Sequence, residues 1–252
     1  PSDGTLGCWC YQRAAGLVGV SNAVSQALQA YVGNQRQVET IYDGVTMPEP
    51  DTTRGAIRKR EQRFIVASVG ELDEAIKGHR TLLAAATRLN KHYPDVAFWI
   101  IGRGTDEAKL RARAAGLCKV RFGGWMADMG SGYSNMDVLV QPSREEALGN
   151  VILEAMSYGV PVIGSRVGGI PELIRSGHNG TLIDVDDGED MAEAIVQLHD
   201  DPSRLQRQSH HAQRSAEHFS VTLMAERYAA LYQQVLAAQA NSAPNHRPVD
   251  LT

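Results

Sequence analysis

From residue 63 onward, short apolar runs alternate with amphipathic stretches so regularly that few folds remain open to the chain. Residues 63–69, 96–101, 119–122, 137–141, 162–165 and 181–183 are short and mostly apolar and read as strands. The helical pattern falls on 77–93, 105–116, 150–158, 171–174, about 191–198, 203–217 and 221–238. Mostly apolar strands alternating with helices predict an α/β class: a parallel sheet covered by helices on both faces. Ligands of such sheets bind outside the carboxyl ends of the strands. That rule gathers four glycine-bearing loops, 70–77, 102–104, 123–125 and 144–150, around one crevice.

Ahead of this alternation, 17–20 and 38–41 read as short strands, with Ser21 capping a helix over 22–31 and Asp43–Gly44 making a turn. Residues 42–60 shift to Pro48, Pro50, Gly55 and clustered charge, the composition of an interdomain linker. The expected organisation is therefore 1–45, a linker over 46–62, the main domain over 63–218, a terminal helix over 219–240 and a disordered polar tail over 241–252.

The net charge of −4 argues against a general nucleic-acid binder. No apolar run approaches the ~18 residues needed to span a bilayer, and no signal peptide is visible. Three cysteines, Cys8, Cys10 and Cys118, make neither a disulfide framework nor a zinc ligand set, which suits a reduced, cytoplasmic setting. The absence of an initiator Met suggests a fragment or a processed product.

Chemistry concentrates in 142–165. Gly149 and Asn150 fall where a helix begins, and a helix start offers free N–H groups and partial positive charge to a phosphate. Gly149, having no Cβ, lets the ligand approach. Glu146 lies in the preceding loop. Glu154 interrupts the apolar run of Val151, Ile152, Leu153, Ala155 and Met156, where a carboxylate needs a hydroxyl pair or a cation as partner. Lys77, expected in the first turn of the helix over 77–93, is either a point charge for a diphosphate or a solvated lysine. Other motifs carry less. The GxG of Gly102, Arg103 and Gly104 has Glu107 where a dinucleotide fingerprint needs glycine. Asp184 and Asp186 read as an acidic turn before a helix rather than a metal site. His210 and His211 read as surface histidines, His79 and His92 as surface residues with one touching the crevice as the alternative, and Ser143 and Ser165 lack a nucleophile-elbow context.

These residues resemble glycosyltransferase family 4, the retaining sugar transferases of GT-B architecture with two facing Rossmann-like domains. The resemblance rests on Glu146-Ala-Leu-Gly-Asn-Val-Ile-Leu-Glu154, an E-x7-E signature, and on Gly168-Gly-Ile-Pro-Glu172. Val69-Gly70 with Lys77, Val20-Ser21 and 41–45 extend it to roughly 15–238. It implies that Glu146 positions the donor sugar and that Glu154 binds the ribose. Ala147, Leu148, Gly149, Asn150 and Val151 would hold sugar and phosphate, and Lys77 would stabilise the departing diphosphate. Gly70, Glu71, Gly102, Arg103 and Trp125 would border the donor, the last three near the base.

The resemblance further implies a nucleotide-diphosphate sugar as co-substrate, a glycan or lipid-linked acceptor and no metal or other cofactor. It makes residues 1–45 the end of an acceptor domain that contacts the inner face of a membrane, with the terminal helix packed back against it. One departure stands out. The family's arginine after the first glycine is Glu71 here, so either another cation, Arg103 or Arg144, takes its place or activity is weakened. A non-catalytic nucleotide-sugar binding module is the alternative reading.

Overall fold

The computed structural model describes residues 4–34, 36–49 and 63–242. Six strands form one parallel sheet: β3 (Phe64–Val69), β4 (Val96–Ile101), β5 (Val120–Gly124), β6 (Val138–Gln141), β7 (Val162–Ser165) and β8 (Gly180–Ile183), following β1 (Leu17–Gly19) and β2 (Val38–Thr40) in the chain. The order across the sheet is β5-β4-β3-β6-β7-β8. The chain thus runs outward from β3 to β5, returns to place β6 beside β3 with Ala67 opposite Leu139, and runs outward again. The order reverses between β3 and β6, which is where an open α/β sheet leaves a crevice.

Alternation along each strand builds a core on both faces. Val66, Val138 and Val140 join one apolar cluster, whereas Ala67 and Leu139 join the other. α4 (His79–Leu89) and α9 (Gly188–His199) cover the first face. The second is covered by α6 (Met129–Ser134), α7 (Asn150–Ser157), α8 (Ile170–Leu173) and α10 (Pro202–Ala216). The expected parallel α/β class is the observed one.

Three local expectations are corrected. The stretch expected as one helix over 77–93 is two: α3 (Glu74–Lys77), capped by the Asp73 carboxylate, and α4, separated by Gly78 at φ +62. A Cβ on Gly78 would lie 1.9 Å from the Pro142 carbonyl, so the break is where the β3 and β6 loops touch. α6 was expected as loop, because its Gly-Ser-rich sequence hides Tyr133, which is buried and anchors it. α1 (Gly4–Arg13) was also unforeseen.

β1 (Leu17–Gly19) and β2 (Val38–Thr40) pair in parallel beside α2 (Asn22–Val32). Most of the expected linker, 50–62, and the tail beyond 242 lie outside the described residues. α5 (Glu107–Arg113) follows β4, and α11 (Val221–Ser242) ends the described chain, running past the expected end at 240. α11 starts against the N-terminal segment: Val45 N–H donates to the Phe219 carbonyl at 2.7 Å and Val221 N–H to the Val45 carbonyl at 3.3 Å.

A carboxylate joins the N-terminal segment to the sheet domain. Glu172 of α8 accepts from Asn22 N–H and Ala23 N–H, both at 2.9 Å, at the start of α2. It also accepts from the Tyr42 hydroxyl at 2.7 Å. Burial, then the bond to Glu172, push the Tyr42 pKa up to about 12. Ser21 caps the same helix start and donates to the Ala147 carbonyl at 2.6 Å. An anion at a helix start satisfies free amides and meets the positive end of the dipole. Glu172→Ala leaves three donors without their acceptor and should cost about 1–3 kcal/mol in urea unfolding. Glu172→Gln, which keeps one oxygen, should cost less. An unchanged midpoint for the alanine variant would refute this role.

Candidate active site

The site is assembled by close contacts between loops that follow adjacent strands. After β3 the chain turns at Gly70, φ +151, and Gly102 packs so tightly beneath it that a Cβ there would lie 1.8 Å from the Gly70 carbonyl. α3 then delivers Lys77 in its last turn, the end of a helix where a cation is favoured. The Arg144 N–H donates to the Ile76 carbonyl at 2.7 Å, knitting α3 to the loop after β6. Across this junction Lys77 Nζ lies 2.8 Å from Glu146 Oε2. Ser143 Oγ and Gln141 Nε2 donate to the same oxygen at 3.1 and 3.2 Å.

Glu146 is also held by its backbone. A Cβ on Gly168, φ +51, would lie 1.7 Å from the Glu146 carbonyl, which accepts from Gly169 N–H at 3.3 Å. Glycine alone allows that approach and that φ together. Three residues on, Gly149 adopts φ +100 and begins α7. The amides of Asn150 and Val151, first in the helix, have no intrahelical acceptor.

An open cavity of about 260 Å³ lies over this arrangement, with Gly70, Glu71, Lys77, Glu146, Gly149 and Asn150 in its wall. Ala147, Leu148 and Val151 complete the run from Glu146 around it, and Val20 and Asp43 close it from the N-terminal segment. A second cavity, of about 520 Å³, shares Asn150 and holds Glu154, Tyr133 and Tyr158. The Tyr133 hydroxyl donates to Glu154 Oε2 at 2.5 Å. Burial, and next that hydrogen bond, drive the Tyr133 pKa well above its usual value. Glu154, expected to need a bound hydroxyl pair or a cation, is only half-buried and takes a protein tyrosine hydroxyl on the neighbouring helix instead.

Most of the expected residues therefore converge, but not through four loops. Of the four expected loops, only those after β3 and β6 line the first cavity among the described residues, because β4 and β5 lie farther out in the sheet. Gly102 supports Gly70 from below. Arg103 is exposed, and its carbonyl accepts from Leu72 N–H at 3.0 Å. Trp125 is 67% exposed and lines neither cavity. Arg144 is engaged elsewhere, with Nε and Nη2 on the two Asp186 oxygens at 2.9 and 2.8 Å. Neither arginine stands in for Glu71. Asp184 pairs with Arg166 at 3.6 Å.

His79 is not at the surface: it is 1% exposed. Burial first, then the charge of Lys77, pull its pKa down to about 4. The sequence reading also missed Gln141, Ser143 and Tyr133 as site residues. The available signal was a polar residue closing the apolar run of Val138, Leu139 and Val140.

Chemically, the site offers a cation, helix-start amides with no intrahelical acceptor and the separated carboxylates Glu146 and Glu154 on two cavities, with Glu71 and Asp43 also in the first wall. That suits a ligand carrying both phosphates and hydroxyls. Known proteins resemble the chain in sequence and in fold. The lipopolysaccharide core biosynthesis glycosyltransferase LpsE of Rhizobium meliloti is 38% identical over 152 residues, 58% of this chain and 43% of LpsE. A D-inositol 3-phosphate glycosyltransferase of Corynebacterium kroppenstedtii is 29% identical over 82% of this chain and 50% of its own length. The chain spans about half the length of these relatives. The crystal structure of Anabaena HepE in complex with UDP and glucose superposes with a TM-score of 0.79, covering 87% of this chain and 63% of HepE at 24% identity. That likeness shows the GT-B fold. The sequence pattern of the glycosyl transferases group 1 matches residues 63–201, and the chain belongs to that family.

Proposed function

We propose that this chain is the donor-binding half of a retaining glycosyltransferase of family 4, which moves a hexose from a nucleotide diphosphate to a glycan or glycolipid acceptor. The observation that carries the reading is the 2.8 Å pairing of Lys77 with Glu146 over the helix start opened by Gly149. In this reading the diphosphate lies on Lys77 and the amides of Asn150 and Val151, the sugar against Glu146, and the ribose against Glu154 in the second cavity. The bond from the anomeric carbon to the diphosphate oxygen breaks, and its electron pair stays with the leaving group. The acceptor hydroxyl oxygen bonds to the anomeric carbon on the same face, and its proton passes to the departing diphosphate oxygen. Lys77 and the amides stabilise the charge that develops on the diphosphate, and no metal ion takes part. Residues 1–45 are the end of an acceptor domain. LpsE, named for lipopolysaccharide core biosynthesis, favours a lipid-linked acceptor.

Binding without turnover is the second reading, favoured by the Glu71 carboxylate in the cavity wall, which repels a diphosphate. Transfer and donor hydrolysis, measured separately in the full-length protein, separate the two readings.

Calorimetric titration of the chain with UDP and GDP tests the donor site. One of them should bind, and Glu154→Ala should weaken that binding about 10-fold, the worth of a charge-assisted hydrogen-bond pair to a ribose. Failure of both nucleotides to bind the wild-type chain would refute the reading.

A further inference from the structure

Glu146 Oε2 accepts from three donors, Lys77, Ser143 and Gln141. On the donor-site reading above, Lys77 has a second claim on it, because a diphosphate carries more negative charge than one carboxylate. When the lysine turns to the diphosphate, Glu146 keeps only Ser143 and Gln141. Both are fixed by folding: Ser143 is 0% and Gln141 3% exposed, and Gln141 Nε2 donates to Ser143 Oγ at 2.9 Å as well.

Packing does not account for Gln141. It ends β6, whose other residues are apolar, and an apolar side chain would suit its buried position. Among the described residues its Oε1 is buried without a hydrogen-bond partner, an arrangement that works against folding. The residue nevertheless stands in the cavity wall beside Lys77 and Glu146.

We propose that Gln141 is a positioning residue of the sugar subsite, whose amide holds the Glu146 carboxylate in place once Lys77 has turned to the diphosphate. The inference rests on the donor-site reading. Its test is Gln141→Met, which keeps the volume and removes both polar atoms. The melting temperature should stay the same or rise, because the orphaned oxygen is gone. Affinity for UDP or GDP should not change, since neither carries a sugar. Affinity for the sugar nucleotide that the wild type binds, UDP-glucose or GDP-mannose, should fall about tenfold, the weight of one hydrogen bond to a charged group. Unchanged sugar-nucleotide affinity overturns the proposal and leaves the donor site standing. A lower melting temperature with equal losses for all ligands assigns Gln141 a structural role and overturns it too. A wild-type chain that binds neither UDP- nor GDP-linked ligands removes the donor reading, and the proposal with it.

Discussion

Replacing Lys77 by alanine is expected to slow sugar transfer by the full-length protein about 10²- to 10³-fold, the usual effect of removing one fixed donor aimed at developing charge. The loss should be in kcat more than in donor KM, because negative charge on the diphosphate oxygen grows as the sugar leaves. The fold should survive. The pair is half-buried, with side chains 24% and 13% exposed, and losing the lysine should cost about 1–3 kcal/mol. Glu146 would still accept from Ser143 and Gln141. Lys77→Arg should restore only part of the rate, since a planar guanidinium on a longer side chain does not reproduce a compact ammonium. Steady-state transfer assays decide the matter: a Lys77→Ala rate within threefold of wild type would remove the lysine from the mechanism.

The second large effect is on acid stability. His79 is buried, with Nδ1 lacking a hydrogen-bond partner among the described residues, and its pKa falls from 6.5 to about 4. The unfolded chain therefore binds the proton more readily than the folded one. Stability from this residue is complete above about pH 6.5 and is lost as the pH falls toward 4. At about 1.4 kcal/mol per unit the loss reaches roughly 3 kcal/mol. Urea unfolding at pH 7 and pH 4.5 should show it, and His79→Gln, which has no titrating ring, should flatten the difference between the two. Lys77→Ala should flatten it in part, because the charge of Lys77 is the second cause of the depression while Asp73 and Asp106 oppose it. If wild type and His79→Gln lose the same stability between the two pH values, His79 is not the group responsible.

Both effects depend on features that differ in how far they can be read from the chain. The strands were visible because burial on both faces leaves a local mark, a continuous apolar run. The start of α7 was visible because Gly149 and the apolar residues after it lie next to one another in sequence. Glu154 stood out for the same reason, as a charge in an apolar run, and Glu146 as the loop carboxylate just before that helix start. Lys77 was found but misplaced. Its helix ends at Gly78, and that break exists because the Pro142 carbonyl, distant in sequence, occupies the space.

What the amino-acid sequence determined by itself is therefore the layered α/β architecture, the family signature and the residues that could carry charge or free amides. Those properties follow from composition and spacing within a few turns of chain. Tertiary structure decided which of those groups meet. Placing β6 against β3 put Glu146 on Lys77 and left the loops after β4 and β5 outside the first cavity. It gave Arg144 to Asp186, Glu154 to Tyr133 and the start of α2 to Glu172. It also sealed His79 away from water. Strand order and ion-pair choice arise from contacts between residues far apart in the chain, where the gain from burial and charge pairing is shared among many partners. No local spacing records that outcome.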